Sequence, residues 1–413
     1  MVTIAVICPT ARKAAVVVAT LALIACQGAH SRPLELDGGG PDADSDDLVD
    51  ASPDVRQPEV VCAEPRLLDL AWSHEEQVVA VFLDKLPVGV YLLSGSSMGP
   101  GGESATIWIL DGEDLDVLGR FELPHEKWIT AMYNDRESEI LAIASHDDVV
   151  TSYQLAIIGD WGIDVESSRQ VCSECSPSSE PPVPGPRRVA FATQQLASDE
   201  VTLHLAPEAV DEPIITSEPL AGASPVVQSG SFGPLVFYES GDSILVAQGH
   251  WDGELAQDGA LIPGGPFVSG FAMVGAIGGF VVTAVTGGTP SALALVSVDG
   301  SGQRTGYSEI PDVGTTARLA VSSNDISLLA AWIDTYAEGR PNERAASLVV
   351  LPHHSLTPAA GPLMLGQPFE SSSDRASAIV ATSDRRSHTV LWTESPGTGA
   401  AHLSAAIIEC NEE

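Results

Sequence analysis

Leu328-Leu329-Ala330-Ala331-Trp332-Ile333-Asp334 and, further on, His388-Thr389-Val390-Leu391-Trp392-Thr393-Glu394 carry the reading that decides the fold. Both are short apolar runs of strand length, too brief for a helix and bounded by polar turn residues. Both close on a small or aliphatic residue, an aromatic, any residue, and an acid. The same ending stands at Val81-Phe82-Leu83-Asp84 and Val236-Phe237-Tyr238-Glu239, and weaker copies stand at Ala142-Ile143-Ala144-Ser145 and Thr283-Ala284-Val285-Thr286. The gaps between the successive acids Asp84, Glu239, Asp334 and Glu394 fit three, two and one lengths of a single repeating unit. In the last two units a strand-like run precedes (Arg318 to Val321; Ser377 to Ala381) and another follows (Ser347 to Leu351; His402 to Ile408).

Outward from these copies the texture is uniform. Gln77 to Leu83, Ala105 to Leu110, Ile140 to Ala144, Val201 to Leu205, Pro234 to Tyr238, Phe280 to Val285, Ala292 to Val298 and Leu348 to Leu351 read as further strands. Gly, Pro, Ser and Asp punctuate them, as in Asp299-Gly300, and capped helical periods are nearly absent. A strand–hairpin–strand unit of roughly 50 residues cannot bury both faces of its small sheet alone, so neighbours must stack. The pattern resembles that of β-propellers, without an intact signature of any one propeller class. The expectation is an all-β propeller of about seven blades over residues 62–413, against an alternative of two β-sandwich domains.

Six cysteines are present. Cys62 and Cys410 flank the domain, and in a closed ring the first and last strands are neighbours, which makes a bond between them natural. Such a long loop would stabilise by about 5–6 kcal/mol in the loop-entropy description. Cys172-Ser173-Glu174-Cys175 would then pair locally. Cys-x-x-Cys also marks redox and zinc sites, but the first needs a helix N-terminus and the second usually a further ligand pair. Neither is visible, so structural staples are expected, although four cysteines permit three pairings.

The N-terminus concerns location. Arg12 and Lys13 precede an apolar run, Ala14 to Ala25, of signal-peptide length, well short of the roughly 20 residues that span a bilayer. It closes on Leu23-Ile24-Ala25-Cys26, which resembles the lipobox of bacterial lipoproteins. The resemblance implies cleavage between Ala25 and Cys26, diacylglycerol on the Cys26 thiol, and attachment to the cell envelope. Gln27, where an aspartate would mark inner-membrane retention, points to the outer membrane, periplasmic or surface face. Residues 26–61 then form a tether. Gln27 to Val61 holds nine acids, two arginines and four prolines without hydrophobic period, the composition of a disordered spacer. Asp42-Ala43-Asp44-Ser45-Asp46 begins like a calcium loop, but Asp47 and Pro53 stand where Gly and Glu are required.

Nineteen Lys and Arg against 56 Asp and Glu give a formal charge of −37. So acidic a surface repels nucleic acid and anionic headgroups. Its plain meaning is solubility and its sharper meaning cation binding. The membrane, through the lipid, and an envelope protein or glycan are the expected partners, with no cofactor.

No catalytic set stands out. Gly95-Ser96-Ser97-Met98-Gly99 matches G-x-S-x-G, but Pro100-Gly101-Gly102 forbids the helix that a nucleophile elbow requires, so the segment reads as a hairpin loop. His74-Glu75-Glu76 and His125-Glu126-Lys127 lack the second histidine of a zinc-protease helix. His146, beside Asp147-Asp148, and His353 follow strands and could offer a base or ligand. Asp84, Glu239, Asp334 and Glu394, if equivalent, would sit on one face of the ring with them. The expected function is a non-catalytic binding or scaffolding platform. The alternatives are an envelope hydrolase or lyase at the channel, and a redox protein on Cys172 and Cys175. Intact-mass analysis of the exported protein should show acyl mass on Cys26, and Cys26→Ser should release the protein from the membrane fraction. A wild-type protein with no lipid there would refute the lipobox reading.

Overall fold

The computed structural model describes residues 59–412, apart from 71–76, 100–101, 124, 137–138, 179–181, 208–211, 242, 257–260, 264–266, 277, 287–290, 312, 314–315, 336–342, 354, 371–377 and 395–401. The signal, the lipobox, the tether as far as residue 58 and His74 lie outside them; Val60 and Val61, expected to end the tether, instead open the paired strand Val60–Cys62. Among the described residues there is no α-helix. The strands form seven antiparallel sheets, the blades of a seven-bladed β-propeller.

In chain order, blade 1 comprises Gln77–Lys85, Tyr91–Gly99, Gly102–Leu110 and Val117–Leu123. Blade 2 comprises Trp128–Arg136, Glu139–His146, Val149–Ile158 and Gly162–Ser173. In blade 3 the innermost strand is split into Cys175–Pro177 and Val183–Gly185, followed by Arg188–Gln195 and Glu200–Pro207. Blades 4, 5 and 6 start at Ala223, Phe267 and Thr316. Blade 7 has only three strands from the C-terminal part: Ile379–Asp384, Ser387–Glu394 and His402–Glu412. Its outer edge comes from the other end of the chain, where Val60–Cys62 and Arg66–Leu70 pair antiparallel with His402–Glu412. Cys62 lies directly opposite Cys410, and the two are disulfide-bonded. Cys172 and Cys175 form the second disulfide, at the step from blade 2 to blade 3.

Among the described residues, buried apolar side chains fall into seven clusters, one at each blade-to-blade contact. Ile107, Ile109, Met132 and Ala142 join blades 1 and 2. Ile143, Phe191 and Ala206 join 2 and 3, and Leu203, Leu205, Val236 and Tyr238 join 3 and 4. Phe237, Phe280 and Val282 follow between 4 and 5, Leu295 and Trp332 between 5 and 6, and Leu348 and Trp392 between 6 and 7. Leu93, Trp108, Leu391 and Leu403 close the ring between 7 and 1. Second strands are apolar on both sides because each is covered on both sides, which is why their period-2 alternation is weak.

The strand assignments correct three expectations from the sequence. Phe237, Trp332 and Trp392 lie on second strands, as do the weak copies Ala142–Ser145 and Thr283–Thr286, but Val81–Asp84 lies on the first strand of blade 1. The second strand there is Tyr91–Gly99, whose serines and glycine carry no aromatic at the matching place. An aromatic two residues before an acid suits any strand with one buried side, so spacing alone could not separate first from second. Phe237 also faces the following blade, whereas Trp332 and Trp392 face the preceding one. Finally, Gly95–Gly99 is not a loop. It completes the strand Tyr91–Gly99, with Gly99 paired to Gly102.

The two aromatic sites should differ in cost. Trp392 is 2% exposed between two blades while Phe82 is half-buried beside the central cavity. Trp392→Ala should cost about 3–5 kcal/mol in urea unfolding, and Phe82→Ala less. The reverse order would contradict this assignment.

Candidate functional site

Antiparallel pairing gives the ring two distinct ends. All innermost strands finish at one end, here the lower, as do all third strands; second strands finish at the upper. Around the axis the innermost strands enclose a cavity of about 820 Å³ to which all seven blades contribute. Its wall is mixed. Phe82, Trp128, Met132, Met273, Leu319 and Val380 supply apolar surface, and polar groups gather where the inner strands end. Gln228-Ser229, Ser322-Ser323 and Thr382-Ser383 occupy corresponding places in blades 4, 6 and 7, and Asp84 holds that place in blade 1. A large concave site with a few converging polar groups is the usual form of a ligand site.

Asp84 is half-buried. Its Oδ1 accepts the Lys85 backbone N–H at 2.8 Å, and the Thr382 hydroxyl bonds it from blade 7. Burial pushes its carboxyl above the ordinary range, these two hydrogen bonds only partly opposing the shift. Lys85 turns away, its Nζ 2.8 Å from Asp384 Oδ2 and 5.3 Å from the Tyr91 ring centroid.

The remaining candidates do not converge on this cavity. Glu239, Asp334 and Glu394 end second strands, and His146 does likewise in blade 2, so these four lie at the upper end. His353 follows a third strand and lies at the lower end with Asp84. Trp332 Nε1 donates to Asp334 Oδ2 at 2.7 Å, so that acid clasps its own strand. Burial pushes the Glu239 carboxyl up while Ser224 bonds it. His146 is partly exposed beside Asp147 at 3.1 Å, and the side chain of Glu394 lies outside the described residues. Among the described residues no group of three His, Cys, Asp or Glu side chains is arranged to hold a metal ion. Glu126 is buried and accepts from Tyr153 at 2.8 Å.

One constellation looks catalytic and its hydrogen bonding decides otherwise. Ser322 Oγ lies 2.8 Å from His388 Nδ1, with Ser327 Oγ and Asn324 Nδ2 at 2.9 and 3.1 Å from Nε2. Asn324 Oδ1 accepts the backbone N–H groups of Ile326 and Ser327, so the amide NH₂ must point at the imidazole. Nε2 is therefore the acceptor, and Nδ1–H donates to Ser322. The histidine cannot take a proton from that serine. It ties blade 7 to the hairpin of blade 6, where His353 Nε2 also bonds the Asn324 carbonyl.

The hydroxyl-bearing cavity residues at the inner strand ends escaped the sequence reading because serine and threonine are ordinary in turns. A usable signal was present: Ser322-Ser323-Asn324, Thr382-Ser383-Asp384 and Gln228-Ser229-Gly230 repeat a polar pair just before a hairpin turn.

No family model matches the chain, and no curated protein matches it in sequence. Among solved structures, an oligogalacturonate lyase in complex with manganese aligns at 11% identity and TM-score 0.50, over 85% of this chain and 97% of that one. The Dos1 propeller aligns at 9% identity and TM-score 0.44, over 83% and 95%. Sqt1 from Chaetomium thermophilum aligns at 12% and 0.47, over 84% and 99%. At such identities the likeness concerns the fold alone.

Buried histidines give a pH signature. Burial holds His388 down to about 3, with His353 adding to the effect, and His204 down to about 4. The unfolded chain protonates both near pH 6.5, so below that value it binds more protons than the fold. Their stabilisation is full above pH 6.5 and is lost as pH falls toward 4 and 3, by up to about 1.4 kcal/mol per unit for each. Raised carboxyls such as Asp84 act in the opposite sense at lower pH, so a variant isolates the contribution. Urea midpoints between pH 7 and 4 should fall less steeply in His388→Gln than in the wild type; equal slopes would refute it.

Proposed function

We propose that this chain is a lipid-anchored protein of the bacterial cell envelope that binds a ligand in its central channel without transforming it. The observation that carries the reading is the composition of the cavity, where seven inner strands place aromatic and aliphatic surface beside hydroxyl, amide and carboxylate groups. Such a wall suits an envelope glycan, whose rings have apolar faces and whose hydroxyls need partners. The Leu23–Cys26 motif supports the anchor. The acidic, proline-rich composition that follows Cys26 supports a spacer between such an anchor and the domain. Scaffolding on the outer faces is compatible with the same ring.

A second reading rests on Asp84. A carboxyl raised by burial in a cavity is the form that a general acid takes, which keeps an envelope hydrolase or lyase in view. One substitution separates the readings from a scaffold that leaves the channel unused. Gly275 lines the cavity, and a Cβ added there meets no atom within 4 Å. Gly275→Trp should leave the thermal midpoint unchanged and abolish binding of whichever glycan a panel of soluble envelope sugars identifies with the wild type. Binding retained in that variant would refute the channel as the site. Products that appear with the wild type and vanish in Asp84→Asn would favour the enzyme.

A further inference from the structure

Among the described residues no cation pairs with the Asp84 carboxyl. Its two hydrogen bonds come from a backbone N–H and a hydroxyl. The adjacent ammonium, Lys85, is committed to Asp384. Arg318, the other charged residue among the described lining, belongs to the upper part of the wall, near the start of its strand. The Thr382 hydroxyl meets Asp84 directly, and Ser322, Ser323, Phe82 and Val380 line the same cavity.

We propose that the channel takes an organic ligand bearing a primary ammonium, an amino sugar within the envelope setting, with the ammonium seated on Asp84. This deepens the channel-binding reading and rests on it. An ammonium offers three donors and is satisfied by one carboxylate and neighbouring hydroxyl or carbonyl oxygens. A metal ion would ask for more anionic or imidazole ligands than surround Asp84. A neutral hydroxyl could bond the carboxylate but would leave its charge uncompensated in a partly desolvated place. The net charge of −37 draws cations toward the molecule from a distance, and the uncancelled carboxylate gives them a specific end point.

The test uses the trisaccharide of glucosamine and its N-acetylated form, which differ chiefly in the amine charge, titrated calorimetrically into the folded protein. The amine form should bind at least tenfold more tightly, and Asp84→Asn should remove that difference. Asp164→Asn, which alters net charge equally on the exposed outer strand of blade 2, should retain it. Equal affinity of the two sugars, failure to bind the amine form, or an equal loss in both variants would overturn the ammonium assignment. Gly275→Trp keeps the two failures apart. If it blocks a sugar that Asp84→Asn still binds normally, the ammonium contact is wrong and the channel stands. If it binds as the wild type does, the channel reading falls as well.

Discussion

The pairing of Val60–Cys62 and Arg66–Leu70 with His402–Glu412 is the constraint on which the rest of the ring depends. Each blade is a small sheet with two apolar sides, so every blade needs two neighbours. A row of seven open at one place would expose the surfaces around Leu93, Trp108 and Leu391 to water. Borrowing the outer edge of blade 7 from the start of the domain fixes the two ends together, and Cys62–Cys410 makes the join covalent. The bond spans 348 residues, so its effect on the unfolded chain is near the upper limit of what a disulfide provides.

The closing seam is also where polar contacts concentrate. Lys85 and Asp384 pair across it, Tyr91 and Thr389 share a buried hydrogen bond of 2.9 Å, and Asp84 meets Thr382. A half-exposed ion pair contributes little by itself, but the buried hydroxyl contact would be costly to leave unmade. At the next seam His388 is held by Ser322, Ser327 and Asn324. These contacts set the relative height of inner strands 6, 7 and 1, and so the positions of the hydroxyl pairs at the lower mouth. The candidate site is a by-product of ring closure: no blade holds it alone.

Sequence patterns with two structural meanings were the least legible. Aromatic-x-acid looked like a repeated ligand face, yet Trp332 spends its indole N–H on Asp334, and Phe237 faces the opposite way. Gly95–Gly99 looked like a loop because glycine and serine are turn residues. In the structure these small side chains let Tyr91–Gly99 sit between two covering blades, with Ser97 bonded to Thr106 at 2.9 Å.

By itself the sequence determined the local and periodic features. Short apolar runs with turn punctuation, recurring at the length of one blade, specify strands in repeated units, because a strand's length and its turns are properties of a few adjacent residues. Four cysteines flanking and dividing that region made Cys62–Cys410 and Cys172–Cys175 the expected pairs of a closed ring, but three pairings stayed open until the structure joined these two. Tertiary structure alone decided which strand is innermost, which side each aromatic faces, and that Asp84 shares a cavity with Thr382 and Ser322 while Glu239 and Asp334 lie at the other end. Those facts depend on the direction in which each strand runs and on contacts between residues as distant in the chain as Tyr91 and Thr389. Neither leaves a mark in the spacing of residues along the chain.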